Sequence, residues 1–286
     1  MSEKFKNIII ASDLDGTFFD DRMDVVPKNL EKIKYFLENG GYFTFSTGRV
    51  PEHIFARIPA PEQILNLPTV TGNGTCLYDF LTGRAVEEHF LPYEAVADLA
   101  DFLAGNFPDT AMRASTDRGT FAYDESNPYI REDMIKIGVT EGYRPLSEWK
   151  NYGMYKLGIR GDADRLSVLR ARLERRYEDV FEVTASVSTL LDIQKKGRTK
   201  AVMLQEMVEA FFPKGSVLCT VGDYDNDLEM HAIADLPVCP ANANDRVKEV
   251  CSLCLCSNND GVIADLIDYL DTYDVSHLAS EKKTKK

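Results

Sequence analysis

The run Ile8-Ile9-Ile10-Ala11 constrains the fold most, because it breaks off into Asp13-Leu14-Asp15-Gly16-Thr17. Four apolar residues without polar alternation predict a strand buried on both faces of a parallel sheet. Two carboxylates leave the carboxyl end of that strand, and Gly16 permits a sharp turn after them. In open α/β sheets, ligands bind at such strand ends. Burying charge there is costly without a compensating partner, so a divalent cation is the first candidate.

The alternation of strand and helix continues. Leu30, Ile33 and Leu37 recur at helical spacing within residues 27–39, and Gly40-Gly41 supplies the stop. Tyr42-Phe43-Thr44-Phe45 reads as a strand running into Ser46-Thr47-Gly48-Arg49, and Pro51 opens the next helix. Thr69-Val70-Thr71, Gly72-Asn73-Gly74 and Thr75-Cys76-Leu77-Tyr78 read as strand, turn and strand. This order predicts an α/β fold with a doubly wound, mostly parallel, Rossmann-like core sheet and right-handed crossovers.

From about residue 85 the pattern changes. A helix over residues 92–104 precedes a hairpin candidate around Asp117-Arg118-Gly119. A strand at Tyr155-Lys156-Leu157-Gly158-Ile159 precedes an amphipathic helix marked by Leu166, Leu169, Leu173 and Tyr177. Phe181-Glu182-Val183-Thr184 and Thr189-Leu190-Leu191-Asp192-Ile193 read as a second hairpin. Locally paired strands backed by helices predict an inserted α+β cap over residues 85–189. The core then comprises residues 1–84 and 190–273, with strands at residues 217–221 and 253–256. Residues 274–286, ending in Lys282-Lys283-Thr284-Lys285-Lys286, read as a disordered tail.

Composition narrows the partners. A chain of 286 residues with 44% hydrophobic residues fits a globular protein with a substantial core. A net charge of -13 argues against nucleic acid and against an anionic membrane surface. No run is long enough to span a bilayer, and the start lacks a secretory signal's layout. A cytoplasmic location is the expectation. The oligomeric state stays open, and a monomer is compatible with the sequence. Cys251 and Cys254 invite a zinc or redox reading, but no second ligand pair stands at a matching spacing. Cys254 and Cys256 alternate as in a buried strand, and reduced thiols are expected. His53, His89, His231 and His277 fit no metal or triad spacing.

Four polar clusters stand at element ends: Asp13/Asp15, Ser46/Thr47/Gly48, Lys200, and Asp223/Asn226/Asp227. A parallel sheet gathers its strand ends on one edge. Carboxylates about 4 Å apart repel by roughly 4 kcal/mol at an effective dielectric near 20, which a cation with hard oxygen ligands offsets. That donor set suits Mg²⁺. Lys200 would meet phosphate oxygens, Thr47 would donate a hydroxyl, and Gly48 lets the backbone approach closely. The pieces match phosphoryl transfer. An ionised Asp13 can attack phosphorus without a general base, and Asp15 can serve the leaving oxygen and then water.

Asp13-Leu14-Asp15-Gly16-Thr17, Ser46-Thr47-Gly48-Arg49, Lys200 and Gly222-Asp223-Tyr224-Asp225-Asn226-Asp227 resemble, in order, the four motifs of the haloacid dehalogenase superfamily. Asn73-Gly74, Ala241-Asn242-Ala243 and Ser257-Asn258-Asn259-Asp260-Gly261-Val262 resemble its Cof-type branch, the subclass IIB phosphatases. The resemblance implies a phosphatase acting on a small phosphorylated metabolite, such as a sugar phosphate, nucleotide or cofactor phosphate, through a phosphoaspartate. Asp13 would be the nucleophile and Asp15 the general acid/base. Asp13, the Asp15 carbonyl and Asp223 would hold Mg²⁺, with Asp227 supporting the metal or Lys200. Thr47, Gly48, Lys200, Asn226 and the Leu14 backbone would hold phosphate. Ala201 departs from the glycine usual after the motif lysine. A sugar phosphomutase of the same superfamily and a non-catalytic phosphate or metal sensor are the alternatives. On the cap, Arg113, Tyr123, Trp149 and Lys156 are candidate readers of the leaving group.

Overall fold

The computed structural model describes residues 3–123, 129, 131 and 142–281. The first strand, β1 (Ile8–Ser12), is followed by β2 (Tyr42–Phe45), β3 (Thr69–Thr71), β4 (Cys76–Asp79) and β5 (Arg84–Glu88). The middle of the chain supplies β6 (Ala111–Thr116), β7 (Gly119–Ala122), β8 (Met154–Arg160), β9 (Phe181–Val187) and β10 (Leu190–Lys195). The last third supplies β11 (Val217–Val221), β12 (Leu236–Pro240) and β13 (Leu253–Leu255).

A five-stranded parallel sheet has the order β13-β12-β11-β1-β2. Successive residues of β1 face opposite ways, as a pleated strand requires. Ile10 packs with Ile33 and Phe36 of the helix Pro27–Glu38 and with Ile263 and Ile267 of the helix Val262–Thr272. Ile9 and Ala11 pack with Met203, Leu204 and Met207 of the helix Lys200–Phe211. Helices on both faces explain why β1 carries no polar alternation. The chain is a mixed α/β protein with a doubly wound core sheet, as its sequence predicts.

Two local expectations change. β3, β4 and β5 form their own antiparallel sheet, because the turn at Gly72-Asn73-Gly74 folds β4 straight back on β3. β13 is the edge of the parallel sheet, so Cys254 is exposed rather than buried.

The second five-stranded sheet is antiparallel, in the order β7-β6-β8-β10-β9. Its core face packs Met112, Leu157, Ile159, Leu191 and Ile193 against Leu99 and Leu103 of the helix Tyr93–Asn106 and Leu166 and Leu169 of the helix Ala163–Arg176. A boundary at 189/190 cuts this sheet. β10 pairs with both β8 and β9, so residues 190–195 belong to the antiparallel sheet. The tail expectation also shifts. Val275 is buried, Leu278 and Ala279 pack on the parallel-sheet core, and Leu278–Glu281 is helical. Residues 282–286 lie outside the described residues.

Trp149 is fully buried, and its Nε1–H donates to the Arg144 carbonyl at 3.2 Å. Truncating a tryptophan in such a setting costs about 3–5 kcal/mol. Trp149→Ala should therefore lower the urea midpoint markedly. Circular dichroism is the readout, since this is the chain's sole tryptophan.

Candidate functional site

Strand ends build the site. Ser12 of β1 lies opposite Val221 of β11, and the Asp13 N–H donates to the Val221 carbonyl at 2.8 Å. Asp13 therefore leaves the sheet beside Gly222 and Asp223. The winding reverses at this point, with β2 on one side of β1 and β11 to β13 on the other. Such a reversal opens a crevice at the carboxyl ends of the strands. Gly16 turns the chain with φ +72°, and a Cβ there would fall 2.4 Å from Asp223 Oδ2. A glycine is required for both reasons. Thr17 Oγ1 donates to Asp223 Oδ1 at 2.8 Å.

Carboxyl oxygens of Asp13, Asp223 and Asp227 lie within 4.8 Å of one another. Lys200 sits among them, with Nζ 2.8 Å from Asp13 Oδ1 and 2.8 Å from Asp227 Oδ1. It is the first residue of its helix, after Thr199 caps the helix by accepting from the Val202 N–H. The other oxygen of Asp227 accepts from the backbone N–H groups of Asp223 and Tyr224 at 3.0 and 3.3 Å. Lys196 instead pairs with Glu182 at 3.2 Å. Lys200 is the lysine that reaches the carboxylates.

The electrostatics follow from burial. Burial pushes the Asp13 carboxyl up to about 7; Lys200 opposes this, while Asp227 and Asp15 add to it. Asp223 is raised well above the ordinary carboxylate range, first by burial and then by Asp227 and Asp13. Burial disfavours the Lys200 ammonium, but Asp13 and Asp227 outweigh that and hold it above its ordinary value. Three carboxyl groups crowd one ammonium in a buried place, so ionising all three leaves a surplus of negative charge. Hard oxygen donors with that surplus fit a divalent cation such as Mg²⁺.

Asp13, Asp15, Gly48, Asp223 and Asn226 line one cavity of about 610 Å³. Thr47 is buried beside it, and its Oγ1 accepts the Arg49 N–H at 3.1 Å. The Leu14 side chain is in the hydrophobic core. Asp15 meets a partner that the sequence did not assign. Its two oxygens take a two-pronged ion pair from Arg49, Nε to Oδ2 and Nη2 to Oδ1, each 2.8 Å. The planar guanidinium matches the carboxylate geometry. Arg49 had no assigned role from sequence, although it ends the Ser46-Thr47-Gly48-Arg49 motif. Asn73 was equally unassigned. Its N–H donates to the Thr47 carbonyl at 3.0 Å, and its Nδ2 donates to Asp192 Oδ2 at 3.2 Å. Asp192 itself carried no motif that could have revealed it.

Of the four cap candidates, Arg113 and Lys156 line the cavity. Tyr123 and Trp149 pack on each other instead, with ring centroids 6.0 Å apart.

The profile of haloacid dehalogenase-like hydrolases matches residues 10–267. The chain belongs to the haloacid dehalogenase-like hydrolase family. It is similar to the 5-amino-6-(5-phospho-D-ribitylamino)uracil phosphatase YitU of Bacillus subtilis, with 27% identity over 92% of this chain and 98% of that protein. It is also similar to the pyridoxal phosphate phosphatase YbhA of Escherichia coli, with 25% identity over 91% of this chain and 97% of that protein. A haloacid dehalogenase-like hydrolase of Bacteroides thetaiotaomicron shares the fold, with a TM-score of 0.79 and 21% identity over 93% of this chain and 99% of that one. As a haloacid dehalogenase-like hydrolase the protein is an enzyme, and its parallel sheet is the Rossmann-like core of that family. Among the described residues, no helix is long and apolar enough to cross a membrane.

Proposed function

We propose that this hydrolase is a Mg²⁺-dependent phosphatase that cleaves a small phosphorylated metabolite through a phosphoaspartate on Asp13. The observation that carries the reading is the Lys200 ammonium held between Asp13 and Asp227, with Asp223 alongside, at the carboxyl ends of β1 and β11. The names of YitU and YbhA support it, since each gives a small phosphate ester.

An Asp13 oxygen attacks phosphorus, and the bond from phosphorus to the leaving oxygen breaks. Asp15, which must enter the cycle protonated and so release one prong of its pair with Arg49, gives that oxygen a proton. Asp15 then takes a proton from water, whose oxygen attacks the phosphoaspartate. Inorganic phosphate leaves and the Asp13 carboxylate is restored. Asp13, Asp223 and the Asp15 carbonyl would hold Mg²⁺, which would supply positive charge that favours ionised Asp13 and offsets the phosphate charge. Lys200 adds a second positive charge, and Asp227 fixes Lys200 because both its oxygens are taken by protein donors. Thr47, Gly48, Asn226 and the Leu14 backbone surround the phosphoryl oxygens.

The test is phosphate release by purified protein over sugar phosphates, nucleotides and cofactor phosphates with Mg²⁺ present. No turnover on the whole panel sinks the proposal. Arg49 supplies a finer test, because it orients Asp15. Arg49→Ala should lower kcat by about ten- to hundredfold, the size of losing a charge-assisted hydrogen-bond pair. Arg49→Lys should recover only part, since an ammonium lacks the planar fork. Unchanged kcat in Arg49→Ala would remove this role.

A further inference from the structure

The cap sheet has two unlike faces. Leu157 and Ile159 of β8 turn to the cap core, so Lys156, Gly158 and Arg160 turn the other way. The strand register aligns Arg113 of β6, Gly158 of β8 and Asp192 of β10 in one row across the sheet. Lys156 and Arg160 flank that row. Together with Arg113 and Asp192, they line the same cavity as Asp13 and Asp223.

The row is shaped around a guanidinium. A Cβ on Gly158 would lie 3.3–3.4 Å from the Arg113 guanidinium atoms, so the bare Cα gives that group a bed against the sheet. Arg113 is 3% exposed, and its Nη1 donates to Ser115 Oγ at 3.0 Å. Lys156 Nζ meets Asp192 Oδ1 at 2.8 Å, and Asp192 also accepts from Asn73 of the core. Among the described residues, the cap sends three cations and one carboxylate to this wall, in a chain of net charge -13. A guanidinium carries five N–H donors in a planar fork. It can serve a neighbour in the wall and still present donors to a ligand.

We propose that the substrate carries a second anionic group, a phosphate or a carboxylate, on its leaving-group side. Arg113 and Arg160 bind it, and Lys156, fixed by Asp192, stands beside them. The inference rests on the phosphatase reading above and names the substrate class for that site. The cleaved phosphate sits at Asp13, and the second anion sits at the cap sheet across the cavity.

Two matched pairs of esters test this. 3-Phosphoglycerate against glycerol 3-phosphate reads a carboxylate, and fructose 1,6-bisphosphate against fructose 6-phosphate reads a second phosphate. The wild-type enzyme should favour the doubly anionic member of one pair by about tenfold or more in kcat/KM, the scale of a hydrogen bond to a charged group. The favoured pair identifies the anion. In Arg113→Ala and in Arg160→Gln the preference should fall to within about threefold, mainly through KM. Arg160 is only partly buried, so Arg160→Gln carries the test if Arg113→Ala does not fold. Wild-type rates within threefold for both pairs overturn the proposal. So does a preference that survives in the folded variants, or cleavage of p-nitrophenyl phosphate with all four esters ignored. If no ester yields phosphate, p-nitrophenyl phosphate included, the phosphatase reading falls and takes this inference with it. Phosphate released without regard to the second anion overturns this inference alone.

Discussion

Asp13→Asn should lower phosphate release by about four orders of magnitude or more, the scale seen when a covalent nucleophile is removed. An amide oxygen is a poor nucleophile, and the isosteric side chain leaves the cavity shape intact. The same change should leave the metal-free protein at least as stable as the wild type. Asp13 is buried, and burial pushes its carboxyl up to about 7, so its charged form is held at a cost. The amide removes that charge, while Lys200 keeps its contact with Asp227. A full loss of turnover with an unchanged or raised melting temperature is the expected pair of results. Turnover within tenfold of wild type would mean that another group attacks phosphorus.

Chelation should abolish turnover, and Mg²⁺ should restore it. The stability effect of the ion should also depend on pH. Asp13 and Asp223 both titrate above their ordinary value of 3.8 in the folded protein. Groups raised in this way favour the fold fully below the unfolded value. That contribution is lost as pH rises towards about 7, where Asp13 ionises. The metal-free protein should thus lose stability between about pH 4 and pH 7. Mg²⁺ binds the ionised carboxylates, so its stabilisation should grow over the same window. At a hundredfold excess over Kd it is worth about 2.7 kcal/mol. Melting curves in EDTA and in Mg²⁺ at pH 5 and pH 8 should show the wider gap at pH 8. An equal gap at both pH values would separate the ion from these two carboxylates.

The strands and helices that carry the core were legible in the sequence because each rests on short-range signals. Ile8-Ile9-Ile10-Ala11 has no polar alternation, and a doubly covered strand needs none. Pro27 and Gly40-Gly41 punctuate a helix whose apolar residues recur at helical spacing. The edge position of β13 was not legible, since Leu253-Cys254-Leu255 reads alike at an edge or a centre. The sheet that β10 joins was hidden for a related reason. Thr189-Leu190-Leu191-Asp192-Ile193 shows a hairpin strand, but which sheet that hairpin joins is a long-range pairing with β8.

The sequence by itself determined the chemistry that could occur, because Asp13, Asp15, Lys200 and Asp223 stand at recognisable strand and helix ends. Tertiary structure alone decided which partner each of them meets. Arg49 takes the Asp15 carboxylate, Asp227 shares Lys200 with Asp13, and Arg113 lies over Gly158 towards the same cavity. Spacing along a chain fixes the face of a strand and the end of a helix. The contact between Lys200 and Asp13, 187 residues apart, depends on how sheets and helices pack.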